Sequence, residues 1–129
     1  MLSSRSRIVL IVLAIVSAAV PLVSQMRTVS RVGIVARPRL YRGPCPANIE
    51  FVATIFVTHH PVWVSYRWER SDGAIGRRER TEIRSAGQGI STTWNIGGRH
   101  RHLQIWERLH VLAPTGITSP AATVRLNCE

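Results

Sequence analysis

The sequence contains no lysine and has few acidic residues. All of its 17 basic side chains are arginine, and only 7 Asp and Glu oppose them, which gives a formal net charge of +10. Such a balance favours association with anionic surfaces, whether envelope polymers, nucleic acid or lipid headgroups. Arginine suits bidentate contact with phosphate and carboxylate, but a GC-rich genome produces the same bias with no functional cause.

Catalytic motifs are also absent. The acidic residues form no paired motif, and neither G-x-S-x-G nor H-E-x-x-H occurs. Two histidine clusters, His59-His60 and His100-x-His102, fall in loops expected at opposite ends of the domain. Since zinc sites use three or four ligands, neither cluster suffices alone. The sequence therefore predicts no enzyme activity, no metal site and no cofactor.

Cysteine is scarce: the chain has Cys45 and Cys128 and no Cys-x-x-Cys motif. A catalytic thiol is the competing interpretation, but neither cysteine has a neighbouring histidine. In an oxidising compartment the pair predicts one disulfide. It would close a loop of about 80 residues and stabilise the fold by about 4 to 5 kcal/mol.

Long apolar runs are missing except near the amino terminus. Arg5 and Arg7 precede an apolar segment that extends from Ile8 to Val20 and ends at Pro21. A run of about 13 residues suits a signal peptide, whereas a membrane-spanning helix needs about 20. We expect a signal helix in residues 1–24 and a linker in 25–31. The remainder, 32–129, would be secreted, or tethered to the membrane if residues 8–23 act as an uncleaved anchor.

After the linker the chain alternates apolar and polar residues in short segments separated by turn residues, which is typical of an all-β domain. The segment from Ile49 to Thr58 places every second residue on an apolar face. A second strand follows from Val62 to Trp68 and ends at the turn Ser71-Asp72-Gly73. The other predicted segments are Val32 to Ala36, the charged edge strand or loop Arg77 to Arg84, Ile90 to Ile96, Leu103 to Leu112, and Ala122 to Cys128. About seven strands predict a two-sheet sandwich, in which alternating strand directions bring both cysteines to one end.

The orientation of Leu103 to Leu112 has two solutions. Strict alternation places Glu107 on the same face as Ile105 and Leu109, with Trp106 on the other face. A β-bulge near Trp106 would turn the tryptophan inward instead. Both alternatives stay open on the sequence alone.

Short motifs point to a family. Val64-Ser-Tyr66-Arg-Trp68, followed by an Asp-Gly turn, and the closing LHVLAP…TSPAATVRLNC resemble immunoglobulin-like and PKD-type domains of bacterial extracellular proteins. The resemblance spans roughly residues 32–128. PKD-type domains usually carry Phe-Gly before the Asp-Gly turn, where this chain has Arg70-Ser71. The resemblance implies an immunoglobulin-like sandwich acting as a non-catalytic adhesion, spacer or recognition module.

The candidate binding residues are mainly arginines expected at one end of the sandwich. An anion-binding site there would use loop arginines, whereas the alternative is a solvated loop whose arginines pair with Glu69, Asp72 and Glu79. Trp63, predicted to face outward, is a candidate for stacking on a sugar ring. The candidate anion-binding residues are Arg42, Arg77, Arg78, Arg99 and Arg101.

These features predict a secreted or cell-surface binding or structural module whose partner is an unknown protein or an anionic envelope polymer. The alternatives are a protein that binds acidic carbohydrate through Trp63, Arg99 and Arg101, and a secreted enzyme inhibitor using the same loops. Nucleic acid is not expected, because the aromatic residues alternate within strands and form no stacking platform. Membrane contact is expected only through the amino-terminal segment.

Overall fold

A computed structural model describes residues 27–98 and 101–129 of the chain, and these residues form β-strands and connecting loops. Within them no helix is long and apolar enough to cross a membrane. The predicted signal segment, residues 1–24, lies outside the described residues. The strands are β1 (Val29–Arg37), β2 (Leu40–Gly43), β3 (Ala47–Val57), β4 (Val62–Arg70), β5 (Glu79–Ile83), β6 (Gly87–Ile96), β7 (His102–Ala113), β8 (Ile117–Thr118) and β9 (Ala122–Cys128).

The strands form two sheets, as the sequence predicts. The first sheet has the antiparallel order β1-β3-β6, and the second has the order β2-β9-β7-β4-β5, with β8 paired to β7. Seven of the nine strands correspond to predicted segments. The short strands β2 and β8 were not predicted: β2 overlaps the expected turn Arg42 to Asn48, and β8 lies within the expected turn Pro114 to Pro120. The charged segment before Arg84 forms β5, an edge strand.

The first strand is longer than predicted. It begins at Val29, which pairs with Val57 of β3 and is fully buried. The backbone N–H of Val29 also donates to the hydroxyl of Thr115 at 3.3 Å. Residues Val29 to Arg31, assigned to a linker by their polar surroundings, therefore belong to the sandwich.

The core lies between the sheets, and the predicted alternation of β3 is confirmed. Ile49, Phe51, Ala53 and Ile55 have no exposed surface and alternate with more exposed residues. Their counterparts in the second sheet include the equally buried side chains Val64, Leu109, Val124 and Leu126. Each fully buried large apolar side chain stabilises the fold by about 1.5 to 3 kcal/mol, so this alternation is the main reason the two sheets associate.

Strand β7 keeps strict alternation through Trp106. Glu107 faces the core and is 2 % exposed, and Trp106 lies on the outer face. Of the two alternatives, the structure therefore has strict alternation and not a bulge at Trp106. The irregularity lies further along, where Ser65 of β4 pairs with Ala113 and the next residue, Tyr66, pairs with Val111. This shift leaves Leu112 without a partner on β4 and re-aligns the two strands while keeping Glu107 inward.

The predicted disulfide is present and defines one end of the sandwich, called here the disulfide pole. Cys45 precedes β3 and Cys128 ends β9, and their Cα atoms are 5.4 Å apart. Gly97 packs against the bridge with a φ of +120°. A Cβ atom at this position would lie 2.8 Å from the Cβ of Cys45 and 2.9 Å from both sulfur atoms. The backbone conformation and the close contact therefore both require glycine here.

The Asp-Gly turn after β4 also forms as expected. Gly73 has a φ of +88°, and its N–H donates to the carbonyl of Arg70 at 3.0 Å. The carboxylate of Asp72 accepts a hydrogen bond from the backbone N–H of Ala74, also at 3.0 Å. This turn directs the chain back along β4, where Gly76 donates to the carbonyl of Trp68 at 2.8 Å.

Candidate functional site

Arginines cluster on the second sheet beside the disulfide pole. Arg42 of β2 pairs with Asn127 of β9, and the carbonyl of Arg101 accepts a hydrogen bond from the N–H of Cys128 at 2.9 Å. Two residues not singled out in the sequence lie beside them. Arg125 of β9 donates its backbone N–H to the carbonyl of Arg39 at 3.1 Å. We call Arg39, Arg42, Arg101 and Arg125 the arginine patch; all four are exposed. Arg42 and Arg125 share the outer face of the sheet, whereas Arg39 and Arg101 directly precede β2 and β7.

The patch is electrostatically unbalanced. Among the described residues, none of its four arginines takes part in an ion pair. One acidic residue, Glu129, follows β9 at this pole, where its backbone N–H donates to the carbonyl of Gly43 at 2.9 Å. In the sheet register Arg125 is opposite Leu40 and Gln104, and Arg42 is opposite Asn127, so these like charges repel one another from diagonal positions. A bound anion would relieve this repulsion.

The other predicted arginines lie elsewhere. Arg77 and Arg78 directly precede β5, at the opposite edge of the second sheet from β2. Four strand spacings separate these edges, a distance of about 19 Å. The structure therefore does not bring Arg77 and Arg78 together with Arg42 and Arg101. Arg99 and His100 lie outside the described residues.

Two of the acids proposed as partners for the loop arginines pair with side chains of β4 and β7 instead. Glu69 accepts hydrogen bonds from Arg108 Nε at 2.6 Å and from Arg108 Nη2 at 3.0 Å, and His110 Nε2 lies 3.0 Å from Glu69. These hydrogen bonds lower the pKa of Glu69 to about 2. Asp72 forms an ion pair with Arg70, which lowers the pKa of the carboxyl group. The paired acids are thus unavailable to the arginine patch.

Trp63 is exposed but lies far from the patch. Its side chain is 51 % exposed, and the guanidinium of Arg80 lies 4.7 Å from the centre of its ring. Ser65 of β4 pairs with Ala113, the last residue of β7, and Trp63 lies two residues beyond this point. Arg101 directly precedes His102, the first residue of β7. Eleven residues of strand correspond to about 35 Å. Trp63 and Arg101 therefore cannot contact one small ligand together.

A second site, missed in the sequence, surrounds the buried acid of β7. Glu107 pairs with Arg70 of β4 in the sheet, so both side chains are on the inner face. Arg70 Nε nevertheless donates to Asp72 Oδ1 at 3.2 Å, and its guanidinium lies 4.2 Å from the centre of the Trp94 ring. Within the described residues, Glu107 Oε2 has no hydrogen-bond partner. Burial raises the pKa of Glu107 to about 7, although the positive charge of Arg70 opposes this change.

Glu107 faces a pocket of about 270 Å³ at the open edge between the sheets. Its apolar wall includes Trp68 and the exposed side chain of Ile75. Strand alternation indicated that Glu107 could face inward, but no sequence signal marked the pocket, because its walls come from five separate segments. Its polar lining consists of Arg70 of β4, Arg77 of the loop, Glu79 of β5, Thr92 of β6 and Glu107 of β7.

The histidines lie apart, as the strand order predicts. His59 and His60 follow the end of β3, whereas His102 begins β7 at the disulfide pole, where its Nδ1 lies 2.7 Å from Asn127 Oδ1. Within residues 27–98 and 101–129 no group of three or more His, Cys, Asp or Glu side chains is placed to hold a metal ion.

Comparison with known proteins supports the fold. No protein-family model and no curated protein sequence matches this chain. A similar solved structure is the CARDB domain of a Pyrococcus furiosus protein in complex with di-metal ions, with a TM-score of 0.56 and 11 % sequence identity. The match covers 77 % of this chain and 93 % of that one. CARDB domains belong to the immunoglobulin-like sandwiches, so this likeness shows an immunoglobulin-like fold for the present chain.

Proposed function

We propose that the protein is a non-catalytic, extracytoplasmic binding or structural module that engages an anionic component of the cell envelope through the arginine patch. The disulfide and the immunoglobulin-like sandwich fit a compartment outside the cytoplasm. The similar CARDB domain belongs to a class of modules that typically lack catalytic activity. PKD-type membership remains an expectation from the short motifs.

The exposed, uncompensated charge of the patch carries this proposal. Arg42 and Arg125 lie on the adjacent strands β2 and β9, and Arg101 directly precedes β7, the strand on the other side of β9. Each guanidinium can bind a phosphate or carboxylate group through two hydrogen bonds. One exposed ion pair contributes at most about 1 kcal/mol, so a polymer with repeated anionic groups would bind far better than a single anion.

The proposal predicts salt-sensitive binding to cell envelopes. The exported domain, from Gln25 onward, is mixed with isolated envelopes and sedimented at low and at high salt. Because exposed charges are screened over about 10 Å at 0.1 M salt, binding should be strong at low salt and weak at high salt. The double variant Arg42→Ala/Arg101→Ala should lose most of the binding.

A matched control removes the same charge elsewhere. The double variant Arg77→Ala/Arg78→Ala also loses two arginines, but from the opposite edge of the second sheet. Equal losses in the two double variants would mean that net charge, and not the patch, causes binding. Absence of binding at low salt would contradict the proposal altogether.

Two other outcomes of the binding experiments would favour one of the alternative functions, an acidic-carbohydrate-binding protein or a secreted inhibitor. Loss of binding in Trp63→Ala alone would favour an acidic carbohydrate held at Trp63 and its neighbour Arg80. Salt-insensitive binding to one protein would favour a secreted inhibitor, because interfaces that depend on packing are less sensitive to ionic strength.

A further inference from the structure

The buried acid of β7 is the starting point. Glu107 is 2 % exposed, and its Oε2 accepts no hydrogen bond within the described part of the chain. The cation opposite to it, Arg70, is bound to Asp72 and stacked on Trp94. A buried acceptor without a donor destabilises a fold unless another molecule supplies the donor. The side chain of Glu107 also lines the adjoining pocket, so a ligand there is placed to supply the missing donor.

The side chains that line the pocket indicate which kind of hydrogen-bond donor could bind to Glu107. Trp68 and Ile75 line the pocket with apolar surface, and Glu79 adds a second carboxyl group to the lining. The two arginines of the lining are less suited to an inward-facing ligand. Arg70 is already paired with Asp72, and Arg77 is exposed, so its charge is available to water.

We propose that this pocket binds a small primary amine with an alkyl chain of about the length of a lysine side chain. The ammonium group donates hydrogen bonds to the carboxylate of Glu107, and the alkyl chain packs against Trp68 and Ile75. The volume of about 270 Å³ accommodates such a ligand. This site is separate from the arginine patch and does not depend on the proposed function.

Binding of an amine is coupled to the protonation of Glu107. The ammonium group prefers the ionised carboxylate, and the pKa of the empty site is raised to about 7. The charged groups around it are Arg70 of β4, Asp72 and Arg77 of the following loop, and Glu79 of β5. The paired residue of β9, Ala122, carries no charge. The ionised fraction rises from about 3 % at pH 5.5 to about 90 % at pH 8, so affinity should increase about 30-fold.

The experiment is isothermal titration calorimetry of the oxidised full chain with pentylamine at pH 5.5 and pH 8. Pentanoate and pentanol, which have the same chain length but a negative or no charge, are titrated in parallel. We expect saturable binding of pentylamine that is about 30-fold tighter at pH 8. Glu107→Gln keeps the shape of the side chain and should weaken binding at least tenfold. Glu50→Gln, at an exposed position on β3, should leave it unchanged.

Three results would overturn the proposal. Pentanoate or pentanol binding as tightly as pentylamine would show that charge recognition by Glu107 does not select the ligand. Equal affinity in the wild type and Glu107→Gln would place the amine elsewhere. No saturable binding of any of the three compounds would mean that the pocket holds solvent only.

Discussion

Replacing Glu107 by glutamine should abolish a loss of stability that occurs as the pH rises from about 4.5 to 7. The fold raises the pKa of Glu107 from 4.5 to about 7, mainly through burial. The folded state therefore holds the proton more tightly than the unfolded state. The contribution of Glu107 to the free energy of unfolding is greatest below pH 4.5 and falls as the pH rises through 7. A pKa difference of about 2.5 corresponds to a loss of about 3 kcal/mol, because each pKa unit equals 1.36 kcal/mol.

The measurement is urea unfolding followed by tryptophan fluorescence, with the disulfide intact, at several pH values from 4.5 to 8.5. Glutamine has nearly the same shape but cannot ionise, so the variant should gain about 3 kcal/mol relative to the wild type across this range. In thermal unfolding the gain corresponds to roughly 10 to 20 °C in Tm. All other titrating groups are common to both proteins and cancel in the difference.

Glu50→Gln controls for the loss of a carboxylate at an exposed position on β3. If the stability difference between Glu107→Gln and the wild type stays constant from pH 4.5 to 8.5, Glu107 is solvated and the reasoning from burial fails. A difference that grows towards low pH would show that Glu107 is ionised and paired in the folded state.

Three further changes test the rest of the fold. Replacing Cys45 and Cys128 by serine should lower the free energy of unfolding by about 4 to 5 kcal/mol in urea titrations, and reduction of the wild type should match that loss. Gly97→Ala should slow or prevent disulfide formation, measured by thiol labelling after refolding, because its Cβ would contact both sulfur atoms; normal oxidation would show that the contact is easily relieved. Glu69→Gln should remove a contribution to stability that exists above pH 4.5 and is lost as the pH falls towards 2, because the folded-state pKa of Glu69 is lowered. The urea midpoints of that variant and the wild type should therefore converge in acid, and a constant difference would contradict the ion pair with Arg108.

The large elements of the sandwich could be predicted because one face of each strand is apolar. The alternation from Ile49 to Val57 specifies both a strand and its buried face, and it needs no knowledge of the neighbouring strands. The disulfide could also be predicted from the sequence, because alternating strand directions bring Cys45 and Cys128 to the same end of the sandwich. The strand β2 could not be predicted, because its four residues are ordered by parallel pairing with β9, which is distant in the sequence.

The candidate sites were harder to predict, because both depend on which strands are neighbours. The outward position of Arg125 follows from the alternation of β9, but its proximity to Arg42 requires the pairing of β2 with β9. Arg77 was expected beside Arg42 because the direction of a strand predicts at which end of the sandwich a residue lies. It does not predict at which edge of the sheet the strand lies, and β2 and β5 are at opposite edges. An acid on an apolar face also suggested a bulge near Trp106, whereas the protein keeps Glu107 inward and raises its pKa.

The bridge between Cys45 and Cys128 also determines how the domain would respond to mechanical load. The two cysteines are separated by 83 positions, and the chain between them, which includes β3 to β9, forms a covalently closed loop. A force applied between β1 and the residue after Cys128 passes through the sulfur atoms, so it bypasses the strands inside the loop. Only β1 and β2 could be pulled away while the bridge is intact. An oxidised domain under tension would therefore extend little, and reduction would release the whole length of the enclosed chain.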